Sequence, residues 1–194
     1  RWQPGDRLSV TAGVRSERIT RDALAANPSA FSARPAFEAD TAVSVIAETS
    51  PDTPVIVERS MWWPGGPATW HEAHASAGAT SDGVAWAIAD GEDDRPRNLT
   101  TYVLIANTSS TAGQARVTIY FEDGTSANTT VNLLGNSRTN VSIGQSFPSA
   151  AGRRFGIVVD SLGASPAQLV VERSMYSNAG GVTWSAGTAA VATR

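Results

Sequence analysis

Eight residues of this chain, Val55–Trp62, recur as Leu169–Tyr176, and no other feature narrows its fold so far. The first copy reads Val-Ile-Val-Glu-Arg-Ser-Met-Trp and the second Leu-Val-Val-Glu-Arg-Ser-Met-Tyr. Met61 and Met175 stand 114 positions apart, and the same offset carries Gly66 onto Gly180, Thr69 onto Thr183 and Trp70 onto Trp184. A period of this length marks a tandem array. A chain of 194 residues has room for two domains of ordinary size.

The second copy carries a full set of short alternating segments. Strands are expected at Trp86–Ala89, Thr101–Asn107, Ala115–Phe121, Ser126–Leu134, Arg138–Ile143, Phe155–Leu162, Gln168–Tyr176 and Val182–Ala189. Turn chemistry separates them: Glu122-Asp123-Gly124, Leu134-Gly135-Asn136, Ser161-Leu162-Gly163 and Asn178-Ala179-Gly180-Gly181. Strands at spacings of about 8–15 residues, with almost no helical period, predict an antiparallel β-sandwich.

The first copy is incomplete. Leu8-Ser9-Val10 and Arg18-Ile19-Thr20, around the Ala12-Gly13 turn, match Thr130-Val131-Asn132 and Asn140-Val141-Ser142 at an offset of 122. The offset falls to 114 further on, so eight extra residues lie within Arg21–Phe37, where 22–26 reads as a short helical turn before Asn27-Pro28. Thr41–Glu48 is the counterpart of Phe155–Leu162. Nothing in this copy answers to Trp86–Ala89, Thr101–Asn107 or Ala115–Phe121. The expected division is therefore an incomplete repeat at 1–80 and a complete one at 81–194.

Composition closes off several functions. An apolar fraction of 41 % supports packed cores, and charged residues are sparse at 17 %. A net charge of −3 without a basic run gives nucleic acid nothing to bind. All the basic side chains are Arg, and the lack of Cys removes disulfides, thiol nucleophiles and thiolate metal sites. No apolar run approaches the roughly 20 residues of a membrane helix. A start at Arg1 and an end at Arg194 suggest a mature piece of something longer.

The segments Trp86-Ala-Ile-Ala-Asp-Gly-Glu, Thr101-Tyr-Val-Leu-Ile-Ala-Asn, Ile119-Tyr-Phe-Glu-Asp-Gly, Asn136-Ser-Arg-Thr-Asn-Val and Val170-Val-Glu-Arg-Ser-Met-Tyr cover most of 82–194. Together they resemble the Ig-like repeats that occur in tandem in large exported bacterial proteins. The resemblance implies export to the cell surface or beyond, a β-sandwich fold and a structural or adhesive setting. It brings no catalytic residues with it.

Each cluster able to carry chemistry has a framework reading beside the functional one. Glu58/Arg59 and Glu172/Arg173 lack the second carboxylate or His that acid–base work requires, and neighbours on a strand face opposite ways. With Met61 and Met175 they read as framework. Both Met residues are expected in the cores of their copies, with the Arg two positions back reaching a rim or a carboxylate. His71-Glu72-Ala73-His74 misses the i, i+4 spacing of a zinc protease and reads as a surface loop. Asp90-Gly91-Glu92-Asp93-Asp94 and Glu122-Asp123-Gly124 offer oxygen ligands to Ca²⁺ without EF-hand spacing, and Arg95 and Arg97 neutralise the first group without a metal. Trp62, Trp63 and Trp70 flank Pro64-Gly65-Gly66-Pro67 and present a candidate glycan-stacking surface; core or interface packing is the competing use. Asn98, Asn107, Asn128 and Asn140 fit the glycosylation acceptor pattern and read as turn and strand-face residues.

The expected function is a non-enzymatic structural or adhesive module without a cofactor. Its partner would be another copy of the chain, or the rest of its precursor, completing the first repeat by strand addition into a filament. The alternative is a carbohydrate-binding module on a surface polysaccharide. Phe155–Leu162 and Gln168–Tyr176 are expected to pair as sheet neighbours, and both signature strands to lie inside their sheets.

Overall fold

The protein is all-β with antiparallel sheets, and the computed structural model describes residues 8–12, 15–19, 44–48, 56–65, 68–94 and 97–194. The chain divides into two compact units, Arg1–Val57 and Glu58–Arg194. This boundary precedes the signature hairpin, whereas the repeat places it near residue 80.

In the N-terminal unit, β1 (Leu8–Ala12) pairs with β2 (Arg15–Ile19) from Leu8↔Ile19 to Ala12↔Arg15, a hairpin around the expected turn. On its other side β1 pairs with β3 (Val45–Glu48), Ala12 facing Val45. The expected helical turn at 22–26 lies outside the described residues.

The C-terminal unit opens with β4 (Glu58–Gly65) and β5 (Ala68–Ala77), which form a two-stranded antiparallel sheet of their own. Its first signature strand therefore has β5 as its hydrogen-bonded neighbour and is not interior to a sheet. Next come β6 (Ala85–Ile88), β7 (Leu99–Asn107), β8 (Gly113–Phe121), β9 (Ser126–Leu133) and β10 (Ser137–Ser142). A single helical turn α1 (Ile143–Ser146) and a 3₁₀ turn (Pro148–Ala150) lead to β11 (Phe155–Leu162), β12 (Leu169–Ser177) and β13 (Ala186–Val191). Seven of the strands expected in the second copy lie where the sequence puts them, and the eighth, expected at Val182–Ala189, begins only at Ala186 because Thr183 and Trp184 form a turn.

They form two four-stranded sheets, β10-β7-β12-β13 and β6-β11-β8-β9. Period-two burial explains how the sheets meet. Val103, Ile105, Leu169 and Val171 of one sheet and Val117, Ile119, Ile157 and Val159 of the other are at most 1 % exposed and share one core. Each such side chain contributes about 1.5–3 kcal/mol by leaving water. Ile143, Phe147 and Ala150 of the helical connection close one end of that core.

Two expectations fail here. β11 and β12 do not pair: β11 lies between β6 and β8, and β12 between β7 and β13 in the opposite sheet. Both strands have one apolar face, and they bury it against each other across the core rather than edge to edge. Met175 is half-buried and outside the core, as is Met61 on the hairpin. Arg173, 4 % exposed, fills the inner row before Met175, where its Nη1 lies 3.7 Å from the Met175 Sδ and 3.4 Å from the carboxylate of Asp90. That carboxylate stands at the exposed rim, so the buried charge is paired as its cost demands.

Short bridges fasten the two sheets along one side. Gly83 exchanges both backbone hydrogen bonds with Leu169, and Ala87 does so with Thr193, so the β6 region reaches across to the β12–β13 region. At the turn between β9 and β10, Gly135 approaches Ser110 so closely that an added Cβ would lie 2.1 Å from the Ser110 carbonyl oxygen.

Among the described residues the first repeat does not rebuild this plan. In the sandwich, β9, β10 and β11 take their partners from β6, β7 and β8. Those are the strands without counterparts in the first copy. The segments matching β9, β10 and β11 in sequence pair among themselves as β1, β2 and β3. One piece of the repeat survives intact. Glu58↔Ala77, Arg59↔Ser76, Met61↔His74 and Trp62↔Ala73 reproduce Glu172↔Val191, Arg173↔Ala190, Met175↔Thr188 and Tyr176↔Gly187, register for register at the 114-residue offset.

Candidate functional site: the hairpin clamp

Alternation assigns the hairpin two faces. Arg59, Met61, Glu72, His74 and Ser76 are half-buried, while Glu58, Ser60, Ala73, Ala75 and Ala77 are exposed. The half-buried face lies on the outer surface of the β10-β7-β12-β13 sheet, with β5 against β13. Gly187 and Ala189 of β13 present little side chain there, which suits close approach of a second backbone layer.

Glu172 is the centre of the contact. Arg59 donates to it through both terminal nitrogens, Nη1 to Oε2 at 3.1 Å and Nη2 to Oε1 at 2.6 Å. Ser76 Oγ donates to Oε1 at 3.0 Å. A planar guanidinium matched to both carboxylate oxygens is the strongest and most directional form of ion pair. Glu172 is only 17 % exposed at the side chain, so solvent screens the pair incompletely.

Aromatic packing continues the contact. His74 Nε2 lies 3.4 Å from the Tyr176 hydroxyl. The Tyr176 ring stacks on Trp184 at 4.6 Å between centroids and meets Tyr102 edge-on at 6.3 Å. Trp184 holds a φ of +54°, a region that bulky side chains rarely enter. Its amide donates to Asn178 Oδ1 at 2.8 Å, and together with the stacking this holds the strained backbone in place.

The electrostatics follow from this burial. Desolvation lowers the His74 pKa below 6.5; the Arg59 cation lowers it further, and Glu172 opposes both. Burial raises the pKa of Tyr176, against a hydrogen bond with Ser174 and the nearby arginines. Burial lowers that of Arg138 on β10, with Arg59 adding to the effect and Glu172 and Tyr176 countering it. Arg59 is thus the guanidinium bonded to Glu172, and Arg138 and His74 feel the charges of that pair.

Of the residues singled out from sequence, the fold brings Arg59, His74 and Glu172 together. Glu58 stands on the opposite, exposed face, and Arg173 points into the sandwich toward Asp90. The expected surface loop at His71–His74 is instead part of β5. The side chains of Trp62, Trp63, Trp70 and His71 lie outside the described residues. Trp184, marked in the sequence by its repeat offset from Trp70, packs on Tyr176, whereas no spacing rule points to Ser76, Arg138 or Tyr102.

The acidic segments are tied down one residue at a time. Glu92 accepts from Arg97 at 3.1 Å and Arg154 at 3.3 Å. Asp93 accepts the Thr101 amide at 2.9 Å, and burial raises its pKa against that bond. Asp123 accepts the Thr125 amide in its turn at 2.9 Å and pairs with Arg153. Glu92, Arg97, Glu122, Asp123, Arg153 and Arg154 line an open depression of about 380 Å³ in which the charges balance. Among the described residues no three His, Asp or Glu side chains are grouped as a metal would need, and no helix is long and apolar enough to cross a membrane. Asn107 is 2 % exposed and bonded to the Thr111 and Leu134 carbonyls, so it is a structural amide.

No known protein-family model matches the chain, and no curated protein matches it in sequence. Among solved structures it is similar to the crystal structure of Thermotoga maritima 1070, at 15 % identity and a TM-score of 0.48 over 57 % of this chain and 92 % of that one. It is also similar to the Anabaena sensory rhodopsin transducer, at 22 % identity and a TM-score of 0.38 over 46 % of this chain and 85 % of that one.

Proposed function

We propose that this chain is a non-enzymatic structural or adhesive module of an exported bacterial protein, built from Ig-like repeats of which the first is represented in part. One observation carries the reading: the signature residues are spent on joining parts of the protein. Arg59 and Glu172, from the two copies of one motif, fasten the first copy's hairpin to the second copy's sheet, and Arg173 is tied to Asp90. A carboxylate held by a two-pronged guanidinium and a serine hydroxyl is poorly placed to move protons. It is well placed to fix one repeat against the next.

The second reading, a carbohydrate-binding module, is favoured by the aromatic cluster. Trp184 is 38 % exposed and lies stacked on Tyr176, in the same repeat position as Trp70. Sedimentation of the chain with insoluble polysaccharides separates the two. The structural reading expects no retention beyond that of an unrelated β-sandwich. Retention abolished by Trp63→Ala or Trp184→Ala would replace it with the carbohydrate reading.

A further inference from the structure

The clamp joins an inner face to an outer face, and the chain carries a second outer face of the same design. The accepting surface on β12–β13 presents Glu172, Ser174 and Tyr176 on one strand and Gly187, Ala189 and Val191 opposite them. At the 114-residue offset Glu172 and Ser174 become Glu58 and Ser60, and Val191, Ala189 and Gly187 become Ala77, Ala75 and Ala73, which lie on the outward face of the β4–β5 hairpin. The carboxylate, the serine and a facing row of small residues all recur, in the same register. Where β12–β13 is covered, however, Glu58, Ser60, Ala73, Ala75 and Ala77 are exposed.

We infer that the exposed face of β4–β5 is a docking surface for the Arg59-bearing face of the same hairpin in a second copy of this chain, with Glu58 receiving the incoming guanidinium as Glu172 receives it within the molecule. The occupant is named by what already sits on the equivalent surface. The charge is complementary, since the incoming face brings Arg59 to a carboxylate. The alanine row leaves the backbone as open to approach as Gly187 and Ala189 do on β13. Because the contact joins unlike faces, each docked hairpin offers the next one a fresh acceptor, and hairpins stack in one direction. In the isolated chain the donor face is occupied by its own Glu172, so the interaction needs a hairpin released from that clamp. The inference deepens the structural reading and rests on it by naming the partner; its test measures self-association, whereas retention on polysaccharide tests that reading separately.

Glu172→Arg in the full chain supplies the released hairpin, because Arg59 then faces a like charge on its own sheet. Sedimentation velocity should show the wild type as a monomer. The Glu172→Arg chain should gain mass with concentration while keeping the β-sheet circular dichroism of the sandwich. Adding Glu58→Arg to that chain should return it to monomer. Should Glu172→Arg compromise folding, a charge exchange decides instead. A chain with Arg59→Glu and a chain with Glu58→Arg, each monomeric alone, should form a complex when mixed, since the freed acidic hairpin of one meets the new guanidinium of the other. A folded Glu172→Arg chain that stays monomeric, association indifferent to Glu58→Arg, or two exchanged chains that do not meet would each overturn the inference.

Discussion

Replacing Arg59 by Ala should detach the hairpin while leaving the sandwich standing. The substitution removes both prongs on Glu172, at 3.1 and 2.6 Å, and leaves that carboxylate with the Ser76 hydroxyl. Exposed ion pairs are worth at most about 1 kcal/mol, and breaking a buried one costs about 3–5 kcal/mol. This pair lies between those limits, with side-chain exposures of 35 % and 17 %. A cost of about 2 kcal/mol follows, which is roughly 30-fold in the docking equilibrium. Among the described residues the shared core contains none from the hairpin, so the loss belongs to a local opening and not to global unfolding. Native-state hydrogen exchange reads this directly. Amides of residues 58–77 should exchange roughly 30-fold faster, and those of β8 and β11 should keep their rates. If both regions accelerate together, or neither does, the clamp is not the separable element described above.

Acid should have a related effect. The docked state depresses the His74 pKa and the released state restores it toward 6.5, so the released state binds more protons, and docking weakens as pH falls from about 6.5 through the lower docked value. Exchange of the hairpin amides at pH 7 and pH 5 measures this, and His74→Phe should flatten the dependence. Ile119→Ala, in the fully buried core, should destabilise the sandwich by about 2–5 kcal/mol in urea unfolding. Gly135→Ala should cost about 1–3 kcal/mol or more in the same assay, since its Cβ would meet the Ser110 carbonyl. Residues 82–194 expressed alone should fold cooperatively, because the core cluster runs from Trp86 to Ala192 within them; a disordered circular dichroism spectrum would contradict this.

Strand positions were legible because alternation is local. Phe155, Ile157 and Val159 announce a strand with one buried face whatever its neighbours are. Pairing was not legible, because the same alternation allows β11 to lie beside β12 or across the core from it, and only the whole sheet decides. The repeat pointed to Glu58, Arg59, Glu172 and Arg173 and suggested that equivalent residues do equivalent work. They do not: Arg59 pairs with Glu172, one step out of register with the repeat, because an inner face has landed on an outer one. His74, in a segment that reads as a surface loop, and Ser76 just beyond it give no sign of their role in the sequence. Their contribution exists only once β5 lies on β13 and Tyr176.

The bridges Gly83↔Leu169 and Ala87↔Thr193 make the sandwich mechanically lopsided. Along that side backbone hydrogen bonds run from one sheet to the other, so the sheets are joined there as leaves are joined at a spine. Along the opposite side β9 and β10 are edge strands of different sheets, connected by the turn through Gly135. Thermal breathing should therefore be angular, with the leaves parting most at β9 and β10 and least at β6. Water or a small apolar probe entering the core would come in from that free margin, reaching Val131 and Leu133 before Ile157 or Leu169.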